Sequence, residues 1–182
     1  CTKANAEQSL NRFFVDGDPG AILVVELRSD NAEDLAKQAK AVEEAMLAEN
    51  LGYHFPFVTG GDVKKVWDLR KAGLGLLSNL PGDEKAVAVI EDTAVDVNDL
   101  PAFIAEFNEI LTENNLYCVH YAHAGSGELH LRPIINLKTA EGHKQFRHIA
   151  EAIAELVKKY QGSLSGEHGD GRLRGEFIPR MV

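Results

Sequence analysis

The sequence predicts an α+β fold: an antiparallel sheet with helices on one face, assembled from two ferredoxin-like halves. Three observations point there. Apolar, β-branched runs alternate with long segments in helical period. The order strand–helix–strand occurs twice, the second time with an added strand and helix. Two of the later strands are joined by a short glycine turn, which only antiparallel neighbours allow.

The elements follow in order. "AILVVEL" (21–27) is a continuous apolar run and predicts a buried strand. In the next segment Leu35, Ala39, Val42, Ala45 and Met46 share one helical face, with Asn31 and Asp34 as a cap-like start. "HFPFV" (54–58) predicts a short strand, at an edge because of Pro56. "DVKKVWDLRKAGLG" predicts a helix that closes on Gly73 or Gly75. "KAVAVIEDTAV" carries a second clear strand at 85–91. "NDLPAFIAEFNEILTENN" is a helix capped by Asn98 or Asp99, with Pro101 in its first turn. "LYCVHYAH" and "ELHLRPI" are strands flanking "AGSG", and "TAEGHKQFRHIAEAIAELVKKY" is a helix capped by Thr139.

Composition narrows the function classes. A chain of 182 residues with 45% hydrophobic and 26% charged residues has the make-up of a globular protein. A net charge of -9 argues against a nucleic-acid or anionic-membrane partner. No apolar run is long enough to span a bilayer, and the N-terminus is not signal-like. Cys1 and Cys118 are the only cysteines, which excludes a disulfide framework and a cysteine-based zinc site, and fits a reducing compartment. The chain opens on Cys1 and stops abruptly at "GEFIPRMV", so a piece of a longer protein is expected.

Two segments carry candidate chemistry. In "HAGSGELH", a helix over Gly125 and Gly127 would cost about 1 kcal/mol at each glycine, and the flanks Val119, Tyr121, Leu129 and Leu131 favour strands. A hairpin turning through "AGSGEL" sets His123 and His130 directly opposite on one face, with Cβ atoms ~5 Å apart, which suits a shared divalent metal. Two hairpin histidines are also ordinary polar surface, and spacing alone does not decide. By strand parity His120 points to the opposite face, and His143 and His148 lie on a largely solvated helix. The tail "SGEHGDGRLRGEF" offers Glu167 as a third metal ligand and His168 as a base toward substrate. Gly166, Gly169 and Gly171 let its backbone turn sharply; a plain flexible turn has the same composition.

Together, "YAHAGSGELHLRPIINL" and "GSLSGEHGDGRLRGEF" resemble the C-terminal domain of FAD-linked oxidases of the vanillyl-alcohol oxidase superfamily, the group of D-2-hydroxyglutarate dehydrogenase, D-lactate dehydrogenase and the glycolate oxidase flavin subunit. "VWDLRKAGLG" is similar to the family's Trp-x-x-Arg segment and "VIEDTAV" to its second-half strand, so the likeness spans nearly the whole chain, residues 1–182. "EDTAV" with the tail motif resembles the large bacterial members that add an iron–sulfur region. The resemblance implies His123, His130 and Glu167 as ligands of a divalent metal, zinc being the expected ion, His168 as the base that takes the substrate hydroxyl proton, and Arg70 as the grip on the substrate carboxylate. It implies oxidation of a D-2-hydroxy acid to a 2-oxo acid, with hydride transfer to FAD. The physics agrees: a cation beside a hydroxyl makes it more acidic, and a bidentate arginine fixes which C–H bond faces the flavin.

The chain departs from the family pattern Gly-Asp-Gly-Asn-Leu-His, having Ser126 and Glu128 at the Asp and Asn positions. Arg132 stands where an Asn is common. It shares the His130 face, so it is either a contact for the far carboxylate of an acidic substrate or a solvated arginine; Lys85 is a poor substrate contact because it begins a strand. No G-x-G-x-x-G lies between a strand and a helix, so FAD is expected to be held mainly by an N-terminal domain, the chain's own partner. An isolated domain is then expected to be inactive. The resemblance implies a cytoplasmic protein, peripheral to the inner membrane through its electron acceptor. Two rival readings stay open: a metal-dependent hydrolase built on the same ligands, and a non-catalytic ligand-binding module.

Overall fold

The computed structural model describes residues 6–182, and Cys1 lies outside them. It forms two compact units, one up to Leu76 and one from Leu77 to Val182.

The first unit contains α1 (Ala6–Ser9), α2 (Ala32–Ala48) and most of α3 (Asp62–Ser78). Helix α2 starts where its cap predicts: the Asn31 side chain accepts the Glu33 N–H at 2.8 Å. The expected strands at 21–27 and 54–58 are absent, and among the described residues this unit has no strand. The picture of two ferredoxin-like halves is therefore corrected here. An apolar run encodes burial but not a ladder, which needs a neighbour with matching backbone donors and acceptors. Residues 21–27 lack one, and Ile22 and Leu23 are 48% and 62% exposed. Helix α3 also runs past its expected stops and through Gly73 and Gly75 to Ser78. A glycine weakens a helix by about 1 kcal/mol without obliging it to end, and neither of these two adopts a positive φ.

The second unit has the predicted α+β character. It contains β1 (Lys85–Ala86), β2 (Ile90–Ala94), α4 (Leu100–Glu113), β3 (Cys118–His123), β4 (Glu128–Ile135), α5 (Ala140–Lys159), and short helices α6 (Gly171–Arg174) and α7 (Ile178–Met181). The strand expected at 85–91 is split into β1 and β2. β4 is central and all its pairings are antiparallel. β3 runs along one side of it. β1 and then β2 follow along the other, pairing with 134–135 and 128–131.

Period-two alternation assigns the faces. Leu129, Leu131 and Ile135 of β4 point into an apolar core with Phe103, Phe107 and Leu111 of α4 and Ile149, Ile153 and Val157 of α5. Thr139 caps α5 as expected, accepting the Gly142 N–H at 3.0 Å. Asp99 sits at the N-cap of α4 but makes no side-chain cap hydrogen bond. Glu128, His130 and Arg132 occupy the other face of β4. Among the described residues no helix is long and apolar enough to cross a membrane.

Candidate metal and substrate site

The β3–β4 turn is shorter than the sequence reading assumed. Ala124–Ser126 form one 3-10 turn and Gly127 closes it at φ 73°. A side chain at Gly127 would place its Cβ 1.9 Å from the Val95 carbonyl oxygen. This turn pairs His123 with Glu128, and Tyr121 with His130. His123 and His130 are therefore diagonal rather than directly opposite. The register moved by two residues, which preserves the face, so the imidazoles still meet: their ring centroids are 5.1 Å apart, edge to face. The parity argument for His120 holds, since its ring packs on Phe107 of α4 at 6.0 Å and bonds Asn108 at 3.1 Å.

The tail brings Glu167 and His168 to these rings. Glu167 Oε1 lies 3.7 Å from His123 Nε2, 3.8 Å from His130 Nε2 and 3.6 Å from His168 Nε2. His168 stacks on His130 with centroids 5.2 Å apart and planes 14° apart. Four of the five residues singled out in the sequence thus meet in the second unit. Arg70, the fifth, lies in the first unit on α3, half-buried.

The centre of the cluster is buried and polar. Burial, followed by the neighbouring His123, lowers the His130 pKa, so this imidazole is neutral at physiological pH and able to ligate. Burial, then the Asp92 and Glu167 carboxylates, pushes the Glu128 carboxyl up to about 7. His130 Nδ1 and Glu128 Oε1 are buried without hydrogen-bond partners, and Glu128 Oε1 stands 3.5 Å from His130 Nε2. Orphaned buried polar atoms of this kind are costly unless something satisfies them. Tetrahedral zinc, with bonds near 2.0–2.2 Å, sets its ligand atoms about 3.4 Å apart. The His123, His130 and Glu167 atoms all lie within 4.8 Å of one another, so a small inward shift would seat a cation. Donor type and spacing fit a divalent metal.

Several participants were not singled out in the sequence. Asp92, fully buried, sits in β2 where the register with β4 slips between Glu91 and Thr93. Its φ is 79°. The signal was present in "VIEDTAV": two consecutive acids inside an otherwise apolar strand cannot both obey a period of two, and a bulge resolves the conflict. The Asp92 carboxylate accepts hydrogen bonds from the Ser165 hydroxyl, from the Glu167 N–H at 3.1 Å and from the His168 N–H at 2.8 Å. Burial alone would raise its pKa, but these bonds outweigh it and hold the group at about 2. Gly166 leaves room for Glu128, whose Cγ would lie 3.0 Å from an added Cβ. The tail glycines act as expected at Gly169 and Gly171, where φ is 79° and 54°.

Arg132 is not a solvated arginine. It shares the His130 face, but it is mostly buried and its guanidinium is bonded to Glu91. The Tyr121 hydroxyl donates to the same carboxylate at 3.2 Å.

Known proteins resemble this chain over most of its length. Residues 2–182 match the family described as FAD linked oxidases, C-terminal domain. A D-2-hydroxyglutarate dehydrogenase of Haemophilus influenzae is 32% identical over 173 residues, 90% of this chain and 17% of that protein. One from Pseudomonas putida is 38% identical over 64% of this chain and 12% of its own length. A mitochondrial D-lactate dehydrogenase [cytochrome] of Arabidopsis thaliana is 23% identical over 82% of this chain and 26% of that protein. The chain thus spans about a quarter or less of each of these relatives.

Proposed function

The chain belongs to the C-terminal domain family of FAD-linked oxidases, and from that premise we propose that it is the substrate- and metal-holding part of a flavin-dependent D-2-hydroxy-acid dehydrogenase. The observation that carries this reading is the convergence of three imidazole Nε2 atoms on one oxygen of Glu167, at 3.6–3.8 Å. In it, His123, His130 and Glu167 hold a divalent cation, zinc being the ion that two imidazoles and a carboxylate suit. The cation supplies Lewis acidity and the flavin, when bound, accepts the hydride.

The remaining work falls to this chain's side chains. His168 Nε2 takes the proton from the substrate hydroxyl as C2 gives up its hydride and becomes a carbonyl carbon. Its Nδ1 faces Asp92 at 3.9 Å, which favours the imidazolium that forms. The Arg70 guanidinium grips the substrate carboxylate. D-2-hydroxyglutarate is the first substrate to try, being the one named for the first two relatives above. FAD is held mainly by an N-terminal domain, an iron–sulfur region takes the electrons onward, and the protein works in the cytoplasm, peripheral to the inner membrane at its acceptor.

The test is turnover by the intact protein, with a dye as electron acceptor. Stripping metal with a chelator is expected to abolish D-2-hydroxyglutarate oxidation, and added zinc to restore it. His168→Ala is expected to lower kcat about 10²- to 10⁴-fold. Undiminished oxidation by protein free of divalent metal would contradict the metal role. Flavin-independent ester hydrolysis would favour a hydrolase instead.

A further inference from the structure

We infer that Asp92 is the positioning residue of this site: its carboxylate, delivered by the left-handed bulge of β2, holds the backbone of 165–168 so that Glu167 and His168 face the hairpin imidazoles. The metal consequence of this inference rests on the reading above; the hold on the loop does not.

Apart from Asp92, the loop is held by Leu164 in the core, by the Ser163 hydroxyl donating to the Ser165 carbonyl at 2.7 Å and by the His168 ring on His130. Its ladder connection is one bridge, Ala94 with Ser163, closed by bonds of 2.9 and 2.8 Å. Beyond Ser163 the backbone is irregular and rich in glycine, a composition with much conformational entropy to lose on ordering. Asp92 meets it at four successive residues. The Ser165 hydroxyl and the Glu167 and His168 amides donate to its carboxylate, and the Gly166 N–H donates to its main-chain oxygen at 2.7 Å. The Ser165 hydroxyl oxygen in turn accepts the Gly169 N–H at 2.6 Å. Arg174, itself buried, backs the arrangement: its Nη2 bonds the Gly169 carbonyl at 2.9 Å and lies 3.8 Å from Asp92 Oδ2. A carboxylate offers acceptors on both oxygens. An asparagine would turn an NH₂ group toward one of the donors and leave the part-buried loop amides partly unpaired.

The φ of 79° strengthens the argument. Of the four non-glycine residues with positive φ among the described residues, Asp92 is the one inside a strand. A β2 residue there with an ordinary φ and no bulge would project to a sheet face. The bulge instead aims the carboxylate under the loop. Strain of this kind persists where the surroundings fix it, and here four contacts do so.

The experiment uses the intact protein with Asp92→Asn, and Asp92→Gly in parallel. Glycine tolerates the positive φ, so the second variant keeps the bulge if the first fails to fold. Ser165→Ala, which removes one arm, is a third. The first readout is amide hydrogen exchange in chelator-treated protein. Exchange at 165–169 is expected to rise at least tenfold, with β3 and β4 unchanged. The second is titration with zinc or cobalt(II) alone. Affinity is expected to fall about 10- to 100-fold, and the cobalt absorption spectrum to move toward that of Glu167→Gln. Loop exchange equal to wild type, or metal affinity within twofold of it, overturns the inference. A general rise in exchange over the whole sheet also overturns it, since that marks a merely structural role. If wild-type protein binds neither metal, the metal reading falls and the exchange rates alone decide the role of Asp92.

Discussion

The two faces of β4 are both largely hidden from solvent yet chemically opposite. Leu129, Leu131 and Ile135 meet aromatic and aliphatic side chains of α4 and α5, while Glu128 and His130, also buried, meet acids and imidazoles. On the first face burial is its own driving force, at roughly 25 cal/mol per Å² of apolar surface. On the second, burial opposes folding unless each polar group finds a partner. Glu91 finds Arg132 and Tyr121, and Asp92 finds the tail loop. His130 Nδ1 and Glu128 Oε1 find none. A strand that hides polar side chains on one side and packs well on the other supports a site with its core.

Substitutions on the two faces should therefore fail in different ways. The largest expected effect is on the apolar side. Phe107→Ala, at a fully buried ring stacked 6.4 Å from Phe103, should cost about 3–5 kcal/mol in urea unfolding while leaving zinc affinity of the folded protein unchanged. A parallel loss of metal affinity would show that the faces are not independent.

The smallest expected effect also belongs to that side. Burial pushes the Cys118 thiol up to about 12 from its ordinary 9.0. An acid with a raised folded pKa favours folding below its unfolded pKa, and that advantage is lost as pH rises. Cys118 should therefore begin to lower stability above pH 9, by about 1 kcal/mol at pH 10 relative to Cys118→Ala. At pH 8 it should resist alkylation in the folded protein. Identical pH profiles for the two proteins would contradict this.

What the sequence disclosed and what it hid divide along physical lines. Helices α2 and α5 were legible because caps and period are local, α4 because of its period and Pro101 in its first turn, and the site face because parity survives a register error of two. The register itself was hidden, since the conformation of Gly127 decides whether the turn has four residues or six. Residues 21–27 read as a strand because apolarity is visible in a sequence and a ladder partner is not. Asp92 was half visible: "ED" in a strand announces an irregularity, but its hold on a loop more than seventy residues away depends on tertiary structure. Arg132 was placed on the correct face, while its pairing with Glu91 depended on strand order.

The central claim is that one cation sits between the hairpin imidazoles and the tail carboxylate. Crystals of the zinc-loaded protein, measured across the zinc absorption edge, test it most directly. The account predicts one strong anomalous peak, about 2.0–2.2 Å from His123 Nε2, His130 Nε2 and a Glu167 carboxylate oxygen. A peak coordinated by other residues, or zinc-loaded crystals with no peak there, would contradict it.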